Sequence, residues 1–385
     1  MADDPLKIAK QKHQAMANIY RPQLISSRKM RALINDNQAL VVDEFHSLAE
    51  ELFKIDNPSY GQLSDVDYQL ALKDFTKRYA QKSQGQWFYY PWQNTLVRLL
   101  EAGDHYRVRC ARNQNIITLP EQNRLHEAKI GVAGLSVGSS AVAALAHTGI
   151  GTLRIADADI LELSNLNRIR GGVTSLGLPK TTIIARTVSE LDPYLNIEVF
   201  PEGLHSSNIN EFIDGLDVVI DEIDDVAAKI QLRLAARRKS IPVLMATDNG
   251  DNVLIDIERY DIDNKVEIFH GILSKQEVQH ILSGDLDRRQ WLRYAMKLID
   301  ISHAPVRVLE SVPLIGKELA GIPQIGGTAM FAGAVLAYTA RMLLSEKPIR
   351  HGKFHVNLEA VLRSDYSELE SKQQALVKLM MQTMK

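Results

Sequence analysis

The 385-residue chain has one cysteine, almost no net charge and no long uninterrupted apolar run. Cys110 is that single cysteine, which excludes an intrachain disulfide and a zinc site built from a cysteine cage. The 45 basic and 47 acidic residues leave a formal net charge of −2, without the basic excess typical of nucleic-acid binding. The most apolar stretch, residues 322–344, is interrupted by Arg341 and predicts a core helix rather than a membrane span. A polar N-terminus without the apolar core of a signal peptide completes the expectation of a cytoplasmic protein.

The sequence divides into three predicted parts. Residues 1–105 show helical spacing of apolar residues, as in 41–55, and end in an aromatic segment, GQWFYYPWQNTLVRLL, whose composition favours core packing. Residues 106–270 form the predicted nucleotide-binding domain, in which short apolar strands alternate with helices as in βαβ units. Within this region, residues 253–261 predict a strand that leaves the sheet. Residues 271–385 predict a helical part that completes the domain and a dimer. The expected fold is α/β, Rossmann-like and doubly wound, with a mainly parallel sheet, helices on both faces and a helix-rich N-terminal region.

A glycine-bearing turn follows the first strand of the alternating region. In GLSVGSS, Gly134 and Gly138 precede a helix, where backbone can approach a phosphate and the helix N-terminus attracts negative charge. Asp157 ends the next strand, near the ~20-residue spacing at which an acid binds a ribose hydroxyl. This pattern suits NAD as well as ATP, and a tight turn without a ligand would produce the glycines too.

Further motifs distinguish between these nucleotides. DADILELSNLNR (157–168), GLPK (177–180) and DEIDD (221–225) occur in this order, after an RCARNQNIIT…EQNRL segment. Together they resemble the ubiquitin-activating and ThiF/MoeB family of adenylating enzymes, over about residues 109–261. The resemblance implies ATP and Mg²⁺ as cofactors and an acyl-adenylate as product.

The resemblance also implies roles for individual residues. The implied nucleotide site comprises Gly134, Gly138, Asp157, Asp159, Asn165, Arg168 and Lys180. Asp157 would bind the ribose, with Asp159 either helping it or capping a turn, and the polar residues after them would line the phosphates. Asp224 would hold Mg²⁺. Arg112 would reach into the neighbouring subunit's ATP site, which implies a homodimer.

Adenylation requires these residue types on chemical grounds as well. A carboxylate attacks the α-phosphorus of ATP, pyrophosphate leaves, and negative charge accumulates on the phosphoryl oxygens. Fixed cations stabilise that charge more in the transition state than in the ground state. No general base is needed because a carboxylate is already ionised at pH 7. The predicted catalytic residues are Arg112, Arg168, Lys180 and Asp224.

Several features depart from the family pattern or have plainer interpretations. Ile169 stands where glutamine usually follows N-L-N-R, and the glycine loop is one residue shorter than in the family. No cysteine follows the nucleotide motifs and CxxC pairs are absent, so we expect neither a transthiolation cysteine nor zinc, with Cys110 an inert thiol. Two of the four acids in DEIDD are expected to serve only at a helix entry. The basic segment 233–240, RLAARRKS, predicts the solvated face of a helix.

The sequence thus predicts an adenylyltransferase acting on a peptide, a ubiquitin-like protein C-terminus or a small acid. Residues 1–105 are the natural region for recognising that substrate. No membrane partner is expected, nor a nucleic acid other than a modified tRNA. Two alternatives stay open: an NAD-dependent Rossmann oxidoreductase, which would leave the cations of SNLNR and GLPK unexplained, and a non-catalytic nucleotide-binding scaffold.

Overall fold

The computed structural model describes residues 11, 13–284, 288–298 and 300–383. The N-terminal segment on which the signal-peptide prediction rests therefore lies mostly outside the described residues. Contacts divide the chain into two compact units. The first comprises the chain up to Asn123 together with His147–Gly149 and Ala185–Leu195; the second comprises Arg124–Ala146, Ile150–Ile184 and the chain from Asn196 onward. The predicted three-part division stays a prediction.

The helices and strands follow in chain order. The described α-helices are α1 (Ser27–Asn37), α2 (Phe45–Asp56), α3 (Asp65–Lys82), α4 (Ala102–Arg109), α5 (Leu119–Glu127), α6 (Gly138–Thr148), α7 (Lys180–Leu191), α8 (Ile209–Ile213), α9 (Val226–Arg238), α10 (Lys275–Ser283), α11 (Arg288–Leu298), α12 (Val306–Ser311), α13 (Gly326–Leu344), α14 (Leu358–Leu362) and α15 (Tyr366–Thr383). The described strands are β1 (Gln23–Ile25), β2 (Leu40–Asp43), β3 (Gln86–Tyr90), β4 (Thr95–Leu99), β5 (Lys129–Ala133), β6 (Thr152–Ala156), β7 (Asn196–Phe200), β8 (Val218–Asp221), β9 (Val243–Asn249), β10 (Asn252–Glu258) and β11 (Gly352–Val356).

The first unit combines helices with a four-stranded sheet of order β1-β3-β4-β2. The aromatic segment forms the antiparallel pair β3–β4, and Phe88, Tyr90 and Leu96 are buried, as core packing requires. Residues 41–43, which helical spacing assigned to a helix, belong to strand β2 instead. The region is helix-rich as predicted, but its sheet was missed because strands of three to five residues show too little alternation to be recognised.

The second unit is built on a seven-stranded sheet of order β11-β10-β9-β8-β5-β6-β7. The pairs β9–β8, β8–β5, β5–β6 and β6–β7 are parallel, which confirms the predicted doubly wound α/β fold. The chain runs outward from β5 to β7 and then returns to place β8 on the other side of β5. Ligands of such sheets bind at this switch point, outside the carboxyl ends of the strands.

The prediction that a strand in 253–261 leaves the sheet is wrong. The chain turns at Gly250, whose φ is +63°, and β10 pairs antiparallel with β9 from Asn252–Asn249 to Glu258–Val243. All seven residues of β10 are buried. Pairing within the sheet therefore removes more apolar surface from water than a strand outside the sheet would. β11 then pairs with β10 and ends the sheet.

The apolar helix α13 is, within the described residues, the one helix long and apolar enough to cross a membrane by length and composition alone. It packs on β9 and β10, and a Cβ at Gly333 would lie 2.5 Å from the carbonyl carbon of Ser140. These contacts are those of the predicted core helix. The C-terminal helix α15 packs on α12, where Lys372 pairs with Glu310 at 2.6 Å.

Candidate nucleotide site

The turn after β5 lies at the switch point, beside the exit of β8. Gly134 has a φ of +87°, and a Cβ there would lie 2.1 Å from the carbonyl oxygen of Glu222, so no other residue fits. Gly138 begins α6, where a Cβ would lie 3.0 Å from Val132. Packing between neighbouring strands therefore already accounts for Gly134. The functional information lies in the position of the turn rather than in its glycines.

Asp157 follows β6 and connects the end of this strand to the turn after β5. Its Oδ2 accepts a hydrogen bond from the backbone N–H of Leu135 at 2.7 Å, and its Oδ1 accepts one from Asp159 at 2.8 Å. Burial raises the pKa of this carboxyl group, and Lys180 opposes the rise. Each oxygen keeps a second lone pair, so the group can still accept a ribose hydroxyl.

Lys180 is the first residue of α7, and its side chain is buried. The Nζ atom lies 2.7 Å from Asp159 Oδ2 and 3.8 Å from Asp157 Oδ1. Its exposed fraction of 6% excludes the role of a solvated residue in the first turn of a helix. A buried lysine needs anionic partners, and here they are the two acids predicted for the ribose.

Arg168 and Asn165 come from the 3-10 helix region Leu163–Asn167. Arg168 Nε donates to Ser136 Oγ at 2.7 Å, which places the guanidinium group beside the glycine turn as a phosphate ligand requires. Asn165 Oδ1 accepts the N–H of Glu162 at 3.1 Å and closes a capping box. Asn165 therefore has a local structural role, while its phosphate role stays a prediction. Ile169, the departure from the family pattern, is buried.

The acids of DEIDD have separate surroundings. Asp221 ends β8 in full burial, and Asp225 caps α9 by accepting the Ala228 N–H at 2.7 Å. Asp225 is thus one of the predicted helix-entry acids. Asp224 is exposed, and its side chain forms no hydrogen bond or ion pair with the residues that the structure describes. Its carboxylate remains available for a cation.

Asp248, near the end of β9, is a site residue that the sequence analysis missed. Burial raises its pKa to about 6; Gln324 and Arg168 oppose the rise, and Asp224 adds to it. Gln324 Nε2 lies 3.3 Å from Asp248 Oδ2. The signal was present in the sequence, because β9 is a parallel strand next to β8 and its end belongs to the same sheet edge.

Arg112 and Cys110 belong to the first compact unit. Arg112 is exposed on a 3-10 helix, Ala111–Asn113, and its role in a neighbouring subunit stays a prediction. Cys110 is buried, and burial raises the pKa of its thiol although Arg109 opposes this. This environment agrees with the inert thiol that the sequence predicts.

The geometry thus joins two groups of predicted residues at one sheet edge. Asp157, Asp159 and Lys180 form a buried ion-paired cluster after β6. Arg168 interacts electrostatically with Asp248, as Asp224 does from the end of β8. Such an arrangement can bind a nucleotide by its ribose and phosphates and hold a divalent cation between carboxylates.

Comparison with known proteins gives an independent view of this region. The ThiF family model matches residues 110–279. An uncharacterized protein MT1398 of Mycobacterium tuberculosis is 38% identical over 278 residues, covering 72% of this chain and 38% of that protein. The tRNA threonylcarbamoyladenosine dehydratase of Haemophilus influenzae is 31% identical over 144 residues, covering 37% of this chain and 55% of that protein. The molybdopterin-synthase adenylyltransferase of the same organism is 30% identical over 125 residues, covering 32% and 51%.

The chain therefore spans 38% to 55% of the length of these three relatives. Fold, ordered motifs and family match agree that residues 110–279 form a domain that matches the ThiF family.

Proposed function

We propose that this chain is an ATP- and Mg²⁺-dependent adenylyltransferase that converts a carboxylate to an acyl-adenylate without a transthiolation cysteine. The observation that carries the proposal is the meeting of Arg168, Lys180 and the acids Asp157 and Asp224 around one switch point. The name of the H. influenzae adenylyltransferase supports this class of reaction.

In the proposed reaction, a carboxylate oxygen bonds to the α-phosphorus of ATP while the bond from that phosphorus to pyrophosphate breaks. Arg168, held against the turn by Ser136, would stabilise charge on the phosphoryl oxygens. Lys180 carries three N–H donors, one of which meets Asp159, so another can meet a phosphate. No proton is transferred in the step, which agrees with a site made of cations and acids.

The residues at the ends of β8 and β9 fit a magnesium ion. Mg²⁺ prefers carboxylate and phosphate oxygens, and Asp224 offers an exposed carboxylate near Asp248. Bound there, the ion would neutralise the departing pyrophosphate. Asp224 would hold the ion, and Asp248 would contribute negative charge once it is ionised.

The substrate carboxylate is proposed to belong to a peptide, a ubiquitin-like C-terminus or a small acid, recognised with the help of residues 1–105. A carbamoylated tRNA is a further candidate, because one relative is named a tRNA threonylcarbamoyladenosine dehydratase. We further propose a cytoplasmic homodimer in which Arg112 serves the partner's site. An NAD-dependent oxidoreductase accounts less well for the cations Lys180 and Arg168 at this site, whereas a scaffold would differ from the proposal only in lacking catalysis.

ATP affinity and pyrophosphate exchange test the proposal. Calorimetry should show ATP binding that Mg²⁺ strengthens and that Asp224→Asn weakens by about tenfold or more. Asp225→Asn is the matched control, because it removes the same charge one residue away while asparagine keeps the helix cap. Tight NAD(H) binding without ATP binding would favour the oxidoreductase. ATP binding without label exchange from pyrophosphate, across a panel of carboxylates, would favour the scaffold.

Mixed dimers test Arg112. When Arg112→Ala and Asp224→Asn chains are mixed, each hybrid dimer should contain one site with both residues intact, and exchange activity should partly return. No recovery in verified hybrids would assign Arg112 a role within its own chain or none.

A further inference from the structure

Three side chains that the nucleotide site does not use bring their metal-binding atoms together near the edge strand β11. They are Asp300, His303 and His355, and the relevant atoms all lie within 4.8 Å of one another. Asp300 Oδ2 lies 3.0 Å from His303 Nδ1 and 3.2 Å from His355 Nε2. Two imidazoles and one carboxylate thus converge on one point.

The three residues come from two segments that are far apart in sequence, with Asp300 and His303 in one and His355 in the other. His355 lies on β11, opposite Leu254 of β10, whereas His303 ends the 3-10 helix Ile301–His303. Their rings stack with centroids 4.0 Å apart. Asp300 has a φ of +50°, a conformation uncommon outside glycine, and this turn directs its carboxylate to both rings. The contact between Asp300 and His355 connects this turn to β11, and this connection offsets the cost of the strained backbone at Asp300.

The donor set selects a class of ion. Imidazole nitrogens with one carboxylate oxygen suit Zn²⁺ and related divalent transition ions, whereas Mg²⁺ prefers oxygen ligands alone. A cavity of about 170 Å³ borders the cluster and is lined by both histidines and by Glu370 of α15. It leaves room for water as a fourth ligand, and Glu370 adds negative charge.

We propose that Asp300, His303 and His355 form a binding site for a divalent transition ion of the Zn²⁺ type. The ion would cross-link β11 to the turn before α12. The absence of CxxC pairs led to the expectation of no zinc, but this site contains no cysteine and lies outside that argument. The proposal does not depend on the adenylyltransferase reaction.

A second histidine–aspartate cluster in the same unit provides a matched control. His270 Nε2 lies 2.6 Å from Asp256 Oδ1, and His351 Nε2 lies 3.1 Å from His270 Nδ1. There the other His351 nitrogen accepts the Arg259 N–H at 3.3 Å, and Asp256 is buried within 3.7 Å of Lys353. Because both ring nitrogens of His270 and His351 are engaged and Lys353 acts more strongly on Asp256 than on Asp300, this cluster should hold a cation less well than the Asp300 cluster.

Zinc binding by the untagged full chain, freed of metal by chelation, tests the site. Competition calorimetry should show one Zn²⁺ per chain, and Co²⁺ should give the intense visible absorption of a tetrahedral site. The double variant His303→Ala/His355→Ala should lose the Co²⁺ spectrum and bind Zn²⁺ at least about tenfold more weakly. His351→Ala should bind Zn²⁺ like the parent chain.

Thermal unfolding supplies a second readout. Saturating Zn²⁺ should raise the Tm of the parent by a few degrees and leave the Tm of the double variant unchanged, since binding to the folded state stabilises it. Asp300→Asn should weaken Zn²⁺ binding while keeping hydrogen-bonding capacity. A parent chain that binds no Zn²⁺, or a double variant that binds it equally well, would overturn the proposal and leave the cluster as a hydrogen-bonded contact.

Discussion

Two arginine–carboxylate clusters begin at the end of β8 and differ in how completely the chain satisfies their charges. In the first, buried Arg233 pairs with Asp221 and with Glu258, and its guanidinium group lies 3.9 Å from the ring centre of Phe269. Although burial alone would raise it, Lys229 and Arg233 hold the pKa of Asp221 below its ordinary value. In the second, Asp224 is exposed and burial raises the pKa of Asp248.

The difference separates charges that hold the fold together from charges left for a ligand. The Arg233 cluster has its hydrogen-bond and ionic partners within the chain, so a ligand could add little. The cluster of Arg168, Asp224 and Asp248 keeps a carboxylate without a partner among the described residues, that of Asp224, and an acid whose ionised form is disfavoured, Asp248. Both features are typical of functional sites, where binding energy comes from completing an incomplete set of partners.

The largest expected effect follows from breaking the Arg233 cluster. Arg233→Met leaves Glu258 buried without its cation and Asp221 with only Lys229, 3.3 Å away, and should lower the free energy of unfolding by about 3–5 kcal/mol, measured by urea denaturation. Arg237→Met is the control, because its ion pair with Glu267 is partly exposed and should be worth less than about 1 kcal/mol. Equal losses in the two variants would contradict the distinction.

Arg168→Ala should strongly reduce activity and hardly change stability, whereas Arg233→Met should mainly reduce stability. Loss of a cation directed at the phosphates should slow substrate-dependent pyrophosphate exchange by about 10²–10³-fold. The free energy of unfolding should change by less than about 1 kcal/mol, since the side chain is only half-buried and its hydrogen bonds to Ser136 and Asn167 are partly exposed. Arg170→Ala removes a neighbouring exposed arginine and should leave both quantities almost unchanged. A stability loss as large as that of Arg233→Met would place Arg168 with the structural charges.

Asp248→Asn tests the comparison through the pH dependence of the free energy of unfolding. The folded-state pKa of Asp248 is raised from 3.8 to about 6, so the folded chain binds this proton more tightly than the unfolded chain. The ionised group therefore destabilises the fold as pH rises through the window from about 4 to 6. Asp248→Asn should raise the free energy of unfolding at pH 7.5 by about 1–3 kcal/mol and change it little at pH 3.5.

Denaturant unfolding at the two pH values checks this prediction. Asparagine keeps an oxygen that can accept the Gln324 hydrogen bond, so the variant changes mainly the charge. A destabilised variant at pH 7.5 would mean that Asp248 is stabilised by its surroundings, as Asp221 is.

The smallest expected effect is the difference in stability between variants of the adjacent acids Asp224 and Asp225. Asp225→Ala removes the cap of α9 and should lower the free energy of unfolding by about 1 kcal/mol. Asp224→Ala should leave it within about 0.5 kcal/mol, because the side chain has no partner among the described residues. Thermal or urea unfolding resolves the two; the reverse order would assign the structural role to Asp224.

The same clusters show where sequence reasoning succeeded and where it failed. Segment 233–240 was predicted as a solvated helix face, and for Arg233 this is wrong, since the residue is fully buried. Helical spacing places Arg233 on a face but does not say what covers that face. Glu258, 25 residues away, covers it because β10 stays in the sheet, which the sequence analysis also missed. The single error about β10 thus hid both the burial of Arg233 and its partner.

Local order in the sequence determined the parallel strands, the helices between them, the turn at Gly134 and the sequential motifs that resemble the ThiF family. These features depend on residues close in the chain, so periodicity and turn chemistry reveal them. The tertiary structure alone decided that Lys180 is buried against Asp157, that Asp248 lies in the field of Arg168, and that Asp300 meets two histidines. Those outcomes depend on which strand ends and turns become neighbours in space, and burial and charge pairing follow from long-range contacts that no local pattern contains.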